Sequence, residues 1–234
     1  MSDHVQLVDI SHWQGIDIDF TVMGQNAAGV FIKASQAYHE DQMFRKNWVA
    51  SKGKLLRGAY HYLDWSKPAR DQAKFFGGLI TSVGHGELPC VVDFECRAKV
   101  PSGKTSVAVQ DFLETLQSIT GLVPMIYTNP SYWREFGTPA PKWLKYPLWI
   151  ANYGVLKPSP IAPWGTEYDV WQYSDKGDGK KYGLKRGAID LDKFNGNMEA
   201  FLLWSKVMTG ISIGDVPPPD VKICQCCKQP ILNA

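Results

Sequence analysis

Short apolar runs rich in β-branched and aromatic residues recur along the chain at residues 6–10, 29–33, 56–63, 88–94 and 124–128, spaced widely enough to leave room for a helix between them. Between the runs the hydrophobic period lengthens. At 104–120, Val109, Phe112, Leu113 and Leu116 fall at i, i+3, i+4 and i+7, and Gly121 supplies a stop, so a helix is predicted there. Another is predicted over 66–82, with Ser66 as its cap, Pro68 in the first turn and Phe75, Phe76 and Leu79 turned toward the sheet. Strands alternating with helices are the pattern of a parallel sheet.

After Thr128 the rhythm changes. Strand-like runs at 147–151, 168–173 and 188–191 are joined by loops rich in Pro, Gly and Lys. Five βα units followed by three strands make eight, which predicts an α/β fold: an irregular TIM-like barrel, (β/α)5(β)3, with about five main helices. A last amphipathic helix over 196–208 would close the domain through Met198, Phe201, Leu202 and Trp204. From Gly210 the text GISIGDVPPPD favours an extended spacer. The expected division is a barrel at 1–209 and a Pro-rich linker with a short Cys-containing tail at 210–234.

Composition narrows the function classes. The 234 residues carry a net charge of +2, so no electrostatic excess calls for a nucleic-acid or membrane partner. No apolar run reaches the roughly 18 to 20 residues of a membrane span, and MSDHVQLVDIS lacks a basic stretch followed by an apolar one, so synthesis in the cytoplasm without a signal peptide is expected. The five cysteines are an odd number, and Cys224, Cys226 and Cys227 crowd the tail. That favours reduced thiols over a disulfide framework. Three tail thiols also fall short of the four ligands of a structural zinc.

In a parallel barrel the carboxyl ends of the strands frame the site, and several of these ends are acidic: Asp9, the pair Asp93 and Glu95, Asp190 and Asp192, and Asp64. If the strand continues through Glu95, Asp93 and Glu95 leave one face with Cα atoms roughly 7 Å apart. Repulsion and partial burial then raise one pKa, giving a proton donor beside an ionised group, which is the equipment for glycosidic cleavage. A lone D-x-E also describes acids solvated at a strand end. Trp13, Tyr60, Tyr62, Tyr127, Trp149, Tyr153, Trp171 and Tyr173 lie near the same rim, where flat rings suit sugar faces as well as they suit a core. Gly103-Lys104-Thr105 imitates a phosphate loop without its earlier glycine and reads better as a helix start. No G-x-S-x-G or H-E-x-x-H occurs, and the histidines lack metal-site spacing; His12 and His61 could touch a ligand or simply be hydrogen-bonded locally.

Taken in order, Asp9-x-Ser11-x-x-Gln14, Gly58-Ala59-Tyr60-His61-Tyr62, Asp93-Phe94-Glu95, Ile126-Tyr127-Thr128, Leu148-Trp149-Ile150-Ala151-x-Tyr153, Trp171-Gln172-Tyr173 and Ile189-Asp190-Leu191-Asp192-x-Phe194 resemble the blocks of the Chalaropsis-type lysozymes, glycoside hydrolase family 25. The resemblance covers about residues 5–204. It implies hydrolysis of the β-1,4 bond between N-acetylmuramic acid and N-acetylglucosamine in peptidoglycan, with retention and without cofactor or metal. Carried onto these positions, Glu95 is the proton donor, Asp93 orients the substrate's 2-acetamido group as it attacks, and Asp9 and Asp190 support the acidic cleft. Tyr60, Tyr62, Tyr127, Trp149, Tyr153, Trp171 and Gln172 would bind the glycan. Phe94 stands where the family often carries Trp or Tyr. The resemblance also implies peptidoglycan strands as the partner and a bacteriophage or prophage endolysin, or a virion lysozyme, with holin-dependent release. A non-catalytic glycan-binding module and a chitinase-like hydrolase stay as alternatives, although Leu88 and Val91 occupy earlier acid positions of the chitinase motif.

Overall fold

The computed structural model describes residues 4–101 and 105–211. Its strands are β1 (Val5–Ile10), β2 (Gly29–Gln36), β3 (His39–Glu40), β4 (Leu56–Tyr62), β5 (Val91–Asp93), β6 (Met125–Thr128), β7 (Leu148–Ala151), β8 (Val170–Asp178) and β9 (Ala188–Phe194). Its helices are α1 (Phe20–Asn26), α2 (Phe44–Ala50), α3 (Ala69–Val83), α4 (Thr105–Thr120), α5 (Pro130–Phe136) and α6 (Met198–Thr209). Seven strands run parallel in the order β1, β2, β4, β5, β6, β7, β8, and β9 closes the barrel between β8 and β1. The short β3 only folds back on the end of β2. Helices α1 to α5 are the five crossovers and α6 follows the last strand, which is the irregular (β/α)5(β)3 barrel that the strand spacing predicts.

Two local expectations change. The last strand runs antiparallel to both neighbours, pairing Asp9 with Asp190 and Val5 with Phe194. A parallel return needs a crossover of a dozen or more residues, and the link from Asp178 to Ala188 is too short for one. Asp190 therefore reaches the barrel mouth from near the start of its strand, and Asp192 lies one layer deeper. In α3, Ser66 does not cap the helix: Pro68 occupies that position, and Ser66 donates its N–H to Asp64 Oδ1 at 2.8 Å. The buried Gln72 ties the entry together instead, donating to the carbonyls of Asp64 and Lys67 at 2.7 and 2.8 Å. Phe76 and Leu79 are buried as expected, whereas Phe75 is only half-buried.

Alternation along the strands creates two apolar layers. Val8, Ile32, Val92, Ile126 and Ile150 point outward beneath the helices, where α4 buries Val109, Phe112, Leu113 and Leu116. Leu7, Phe31, Leu56, Val91, Met125, Trp149 and Val170 fill the barrel interior, and Phe201 of α6 packs on Phe194 at 5.2 Å below it. Cys90 and Cys96 are buried free thiols; burial pushes Cys90 up to about 12. Gly103 and Lys104, the tail from residue 212, Cys224, Cys226, Cys227 and any zinc reading of them lie outside the described residues. Among the described residues, no helix is long and apolar enough to cross a membrane.

The interior has no slack at Gly58. A methyl group there would stand 2.4 Å from the ring of Phe31, itself fully buried and stacked on Trp149 at 4.5 Å. Gly58→Ala is expected to cost about 1–3 kcal/mol, the usual penalty of overpacking, measured as a fall in the urea midpoint without a change of slope.

Candidate active site

Where the parallel strands end, the inward layer changes from apolar to polar. A cleft of about 200 Å³ opens there, lined by Asp9, Tyr60, Asp93, Glu95, Tyr127, Trp149, Tyr153, Gln172 and Asp190, with Asp175 added from β8. Although β5 ends at Asp93, the extended course continues. Leu63 N–H donates to Asp93 O at 3.0 Å, and Phe94 N–H to Tyr127 O at 2.8 Å. Thr128 Oγ1 donates to Phe94 O at 2.9 Å. Side chains therefore keep alternating: Asp93 and Glu95 face the cleft, and Phe94 faces outward. Its ring is met edge-on by Tyr132 at 4.8 Å and by Trp65 and Trp133 at 6.0 Å. A ring without a polar edge suits that wholly aromatic seat.

The cleft is strongly acidic for its exposure. Burial raises Asp93 well above the usual carboxylate range, the charge of Glu95 adds to this, and Lys33 opposes it. Glu95 is raised by burial and by Asp190, while a hydrogen bond from Asn129 and the charge of Lys33 pull it back. Asp9 is raised by burial and then by Asp192 and Asp190. Asp190 rises to about 6 through burial, with Asp175 adding to it. Desolvation in a closed barrel favours the neutral forms, so some of these groups hold protons at a pH where a free carboxylate would not.

Neutral donors hold the acids in place. Gln172 Nε2 donates to Asp9 Oδ2 at 2.6 Å, and Gln172 Oε1 accepts from Tyr127 and Tyr153 hydroxyls at 2.7 and 2.5 Å. Trp149 Nε1 donates to Asp192 Oδ1 at 2.8 Å. Asn129 caps α5 by accepting from Tyr132 N–H at 2.9 Å, with Pro130 opening the helix, and it also hydrogen-bonds Glu95. Its oxygen is engaged by the cap, so its amide nitrogen is the donor to Glu95. The end of β6 thus positions a side chain that grew from β5.

Not every residue expected at the site reaches it. Trp171 points away: it is 3% exposed in the layer between barrel and helices, donates to Asn152 O at 2.8 Å and lies under Lys193 at 4.2 Å. Alternation along β8 turns Gln172 inward and therefore its neighbour outward, so the glycan-binding expectation for Trp171 is corrected to a packing role. Tyr62 stands at the rim beside the cleft, hydrogen-bonded to Cys96, with Lys33 Nζ 5.0 Å from its ring. His61 is core: it bonds Ser35 and Gln72, and burial lowers it to about 4. His12 bonds Asp41 at 2.6 Å, and Trp13 is 80% exposed on the turn after β1. Asp175, Lys33 and Asn129 escape a search for acids and aromatics at the predicted strand ends. The first lies beyond the expected end of β8, and the second reaches the site through its charge; the Asn-Pro helix start after β6 was the available signal for the third.

A profile described as glycosyl hydrolases family 25 matches residues 8–181. The chain is 32% identical over 200 residues to YegX of Escherichia coli (strain K12), covering 82% of this chain and 70% of that protein. It is 29% identical over 219 residues to lysozyme M1 of Streptomyces globisporus, covering 85% and 70%. Its fold matches the crystal structure of a bacterial lysozyme from Streptomyces coelicolor with a TM-score of 0.75 at 26% identity, over 87% of this chain and 98% of that one.

The crowding of acids has a consequence for stability. The folded-state pKa of Asp190 lies at about 6, above its ordinary 3.8, so its folded form favours the proton. The stability this contributes is present below about pH 4 and is lost as pH rises through 6. Asp190→Asn is therefore expected to match the parent in unfolding free energy near pH 3.5 and to exceed it by roughly 1–2 kcal/mol above pH 7, allowing for partial exposure. Thermal unfolding across that range measures it.

Proposed function

The chain belongs to glycosyl hydrolases family 25 and is a glycoside hydrolase; from that premise we propose that it cleaves bacterial peptidoglycan at the β-1,4 bond between N-acetylmuramic acid and N-acetylglucosamine, with retention. The observation that carries this reading is the convergence of Asp93 and Glu95 on one aromatic-walled cleft. Glu95, raised by burial, donates its proton to the glycosidic oxygen as the bond to the anomeric carbon breaks. The substrate's 2-acetamido oxygen attacks that carbon and forms an oxazolinium ion, as in substrate-assisted glycosidases. Asp93 accepts the acetamido N–H. Its Oδ1 supports this role, being buried without a hydrogen-bond partner among the described residues.

Glu95, now ionised, takes a proton from water, which adds to the anomeric carbon and opens the ring. Two displacements at one carbon leave its configuration as it began. Asp9 and Asp190 keep the mouth of the cleft negative, which stabilises positive charge developing on the sugar. Tyr60, Tyr127, Tyr153 and Trp149 supply the faces and edges against which the glycan lies, and the partner is the glycan strand itself.

Glu95→Gln is expected to lower the release of reducing ends from purified sacculi by about 10²–10⁴-fold while leaving the fold intact by circular dichroism; full activity would reject the assigned acid. Mass spectrometry should find muramic acid at the new reducing end, and glucosamine there would reassign the bond. Asn129→Ser keeps a helix cap but removes the amide that lowers Glu95. The pH above which kcat/KM declines should therefore move upward in that variant.

A further inference from the structure

Beside the cleft lies a second cavity, of about 360 Å³, which shares no lining residue with it. That volume falls in the roughly 300–1,000 Å³ range of small-ligand sites. Lys33, Gln36, Glu40, Asp41, Asp64 and Lys67 line it, from the ends of β2 and β3 and the loops that follow β3 and β4. The acids among them are already satisfied. Asp41 bonds His12 Nδ1 at 2.6 Å and accepts from Met43 N–H at 2.9 Å. Asp64 accepts from Ser66 N–H at 2.8 Å and from Gln36 Nε2 at 3.3 Å, and Glu40 pairs with Arg45 at 2.9 Å.

The lysines are not. Among the described residues neither Lys33 nor Lys67 has a carboxylate within the 4.0 Å of an ion pair. Lys33 Nζ donates to Gln36 Oε1 at 3.0 Å and lies 5.0 Å from the ring centre of Tyr62. Lys67 Nζ lies 5.4 Å from the ring centre of Tyr38. Two ammonium groups held against rings, in a groove whose own acids are engaged, leave charged donors for a carboxylate from outside.

Position decides which part of a substrate reaches them. Lys33 is the register partner of Tyr60, which lines the cleft, so the groove adjoins the cleft across the ends of β2 and β4. A third cavity shares Glu95 and Tyr153 with the cleft and is therefore its continuation, a path for the polymer. The groove shares nothing with the cleft and suits a branch instead. Its lining agrees: it has none of the tyrosine and tryptophan rings that face a sugar in the cleft, and its three acids disfavour a polyanion. In peptidoglycan the branch is a short peptide on the lactyl group of muramic acid, bearing carboxylates along an amide backbone.

We propose that this groove binds the peptide arm of peptidoglycan, Lys33 and Lys67 taking its carboxylates while the muramic acid that carries it occupies the cleft. This rests on the muramidase reading above, and a binding measurement separates the two. Soluble, uncross-linked glycan strands bearing their peptides are compared with the same strands after an amidase has stripped them, with release of reducing ends as the readout. The parent should show the higher kcat/KM on peptide-bearing strands. Lys67 is exposed and outside the cleft. Lys67→Glu should lose about three- to tenfold on peptide-bearing strands, mainly through KM, the scale of an exposed ion pair lost and reversed, and nothing on stripped strands. Lys67→Arg should keep the parent's values. Lys206→Glu makes the same change of charge on an exposed position of α6 and should leave the ratio of the two substrates unaltered. An unaltered ratio in Lys67→Glu, or an equal fall on both substrates, would overturn the proposal.

The peptides that the amidase releases give a readout without catalysis. Added at millimolar concentration to isotope-labelled protein, they should shift the amide resonances of Gln36 and Ser66 in the parent and not in Lys67→Glu; shifts confined to other residues, or none, would also overturn it. A parent that cleaves neither substrate yet shows those shifts would defeat the muramidase reading and leave the peptide site standing.

Discussion

Closing eight strands into a ring leaves the inward side chains of its uppermost layer no space except the mouth above an apolar plug, and here that layer is built of carboxyls. Asp9, Asp93 and Asp190 come from strands that are hydrogen-bonded into fixed register, and Glu95 follows from an extension held by Thr128 and Tyr127. None can retreat to solvent without breaking the ladder. Their charges are therefore managed by protonation and by neutral donors, with Lys33 as the cation acting on the central pair. The aromatic walls have a double office: Trp149 stacks on Phe31 to complete the interior and, through its indole N–H, satisfies a carboxyl buried deeper still.

Such a layer costs stability at neutral pH, as raised carboxyl pKa values imply. The barrel tolerates it because the remaining contacts are conventional: interdigitated aliphatic side chains inside, helices over the outer face, and a terminal helix across the far end. Function and stability draw on different layers of the same strands, which alternation keeps one residue apart.

Much of this could be read before any coordinates. Eight strand-like runs and the D-x-E pair at the end of an apolar run follow from periodicity, because inward and outward faces impose different compositions; the short α5, Pro130–Phe136, falls where the sequence showed only a loop. Where both faces are apolar the signal vanishes. In Val170-Trp171-Gln172 nothing in the residue types says which way tryptophan points, and it packs outward. Strand direction is likewise invisible in a run such as Ile189-Asp190-Leu191-Asp192; only the brevity of the preceding link reveals the reversal, and with it the depth of Asp192. Asn129 shows a third limit. Its capping role is local and readable, but its bond to Glu95 depends on two strands lying side by side.

The stacked Phe31 and Trp149, with α6 packed beneath, also decide how a polymer can be handled. They stopper the barrel, so among the described residues no passage runs through its axis and a polysaccharide meets the site from the rim. Approach from the rim requires no free terminus. An enzyme with this shape can therefore bite anywhere along a cross-linked mesh, severing interior links of a net whose loose ends are few.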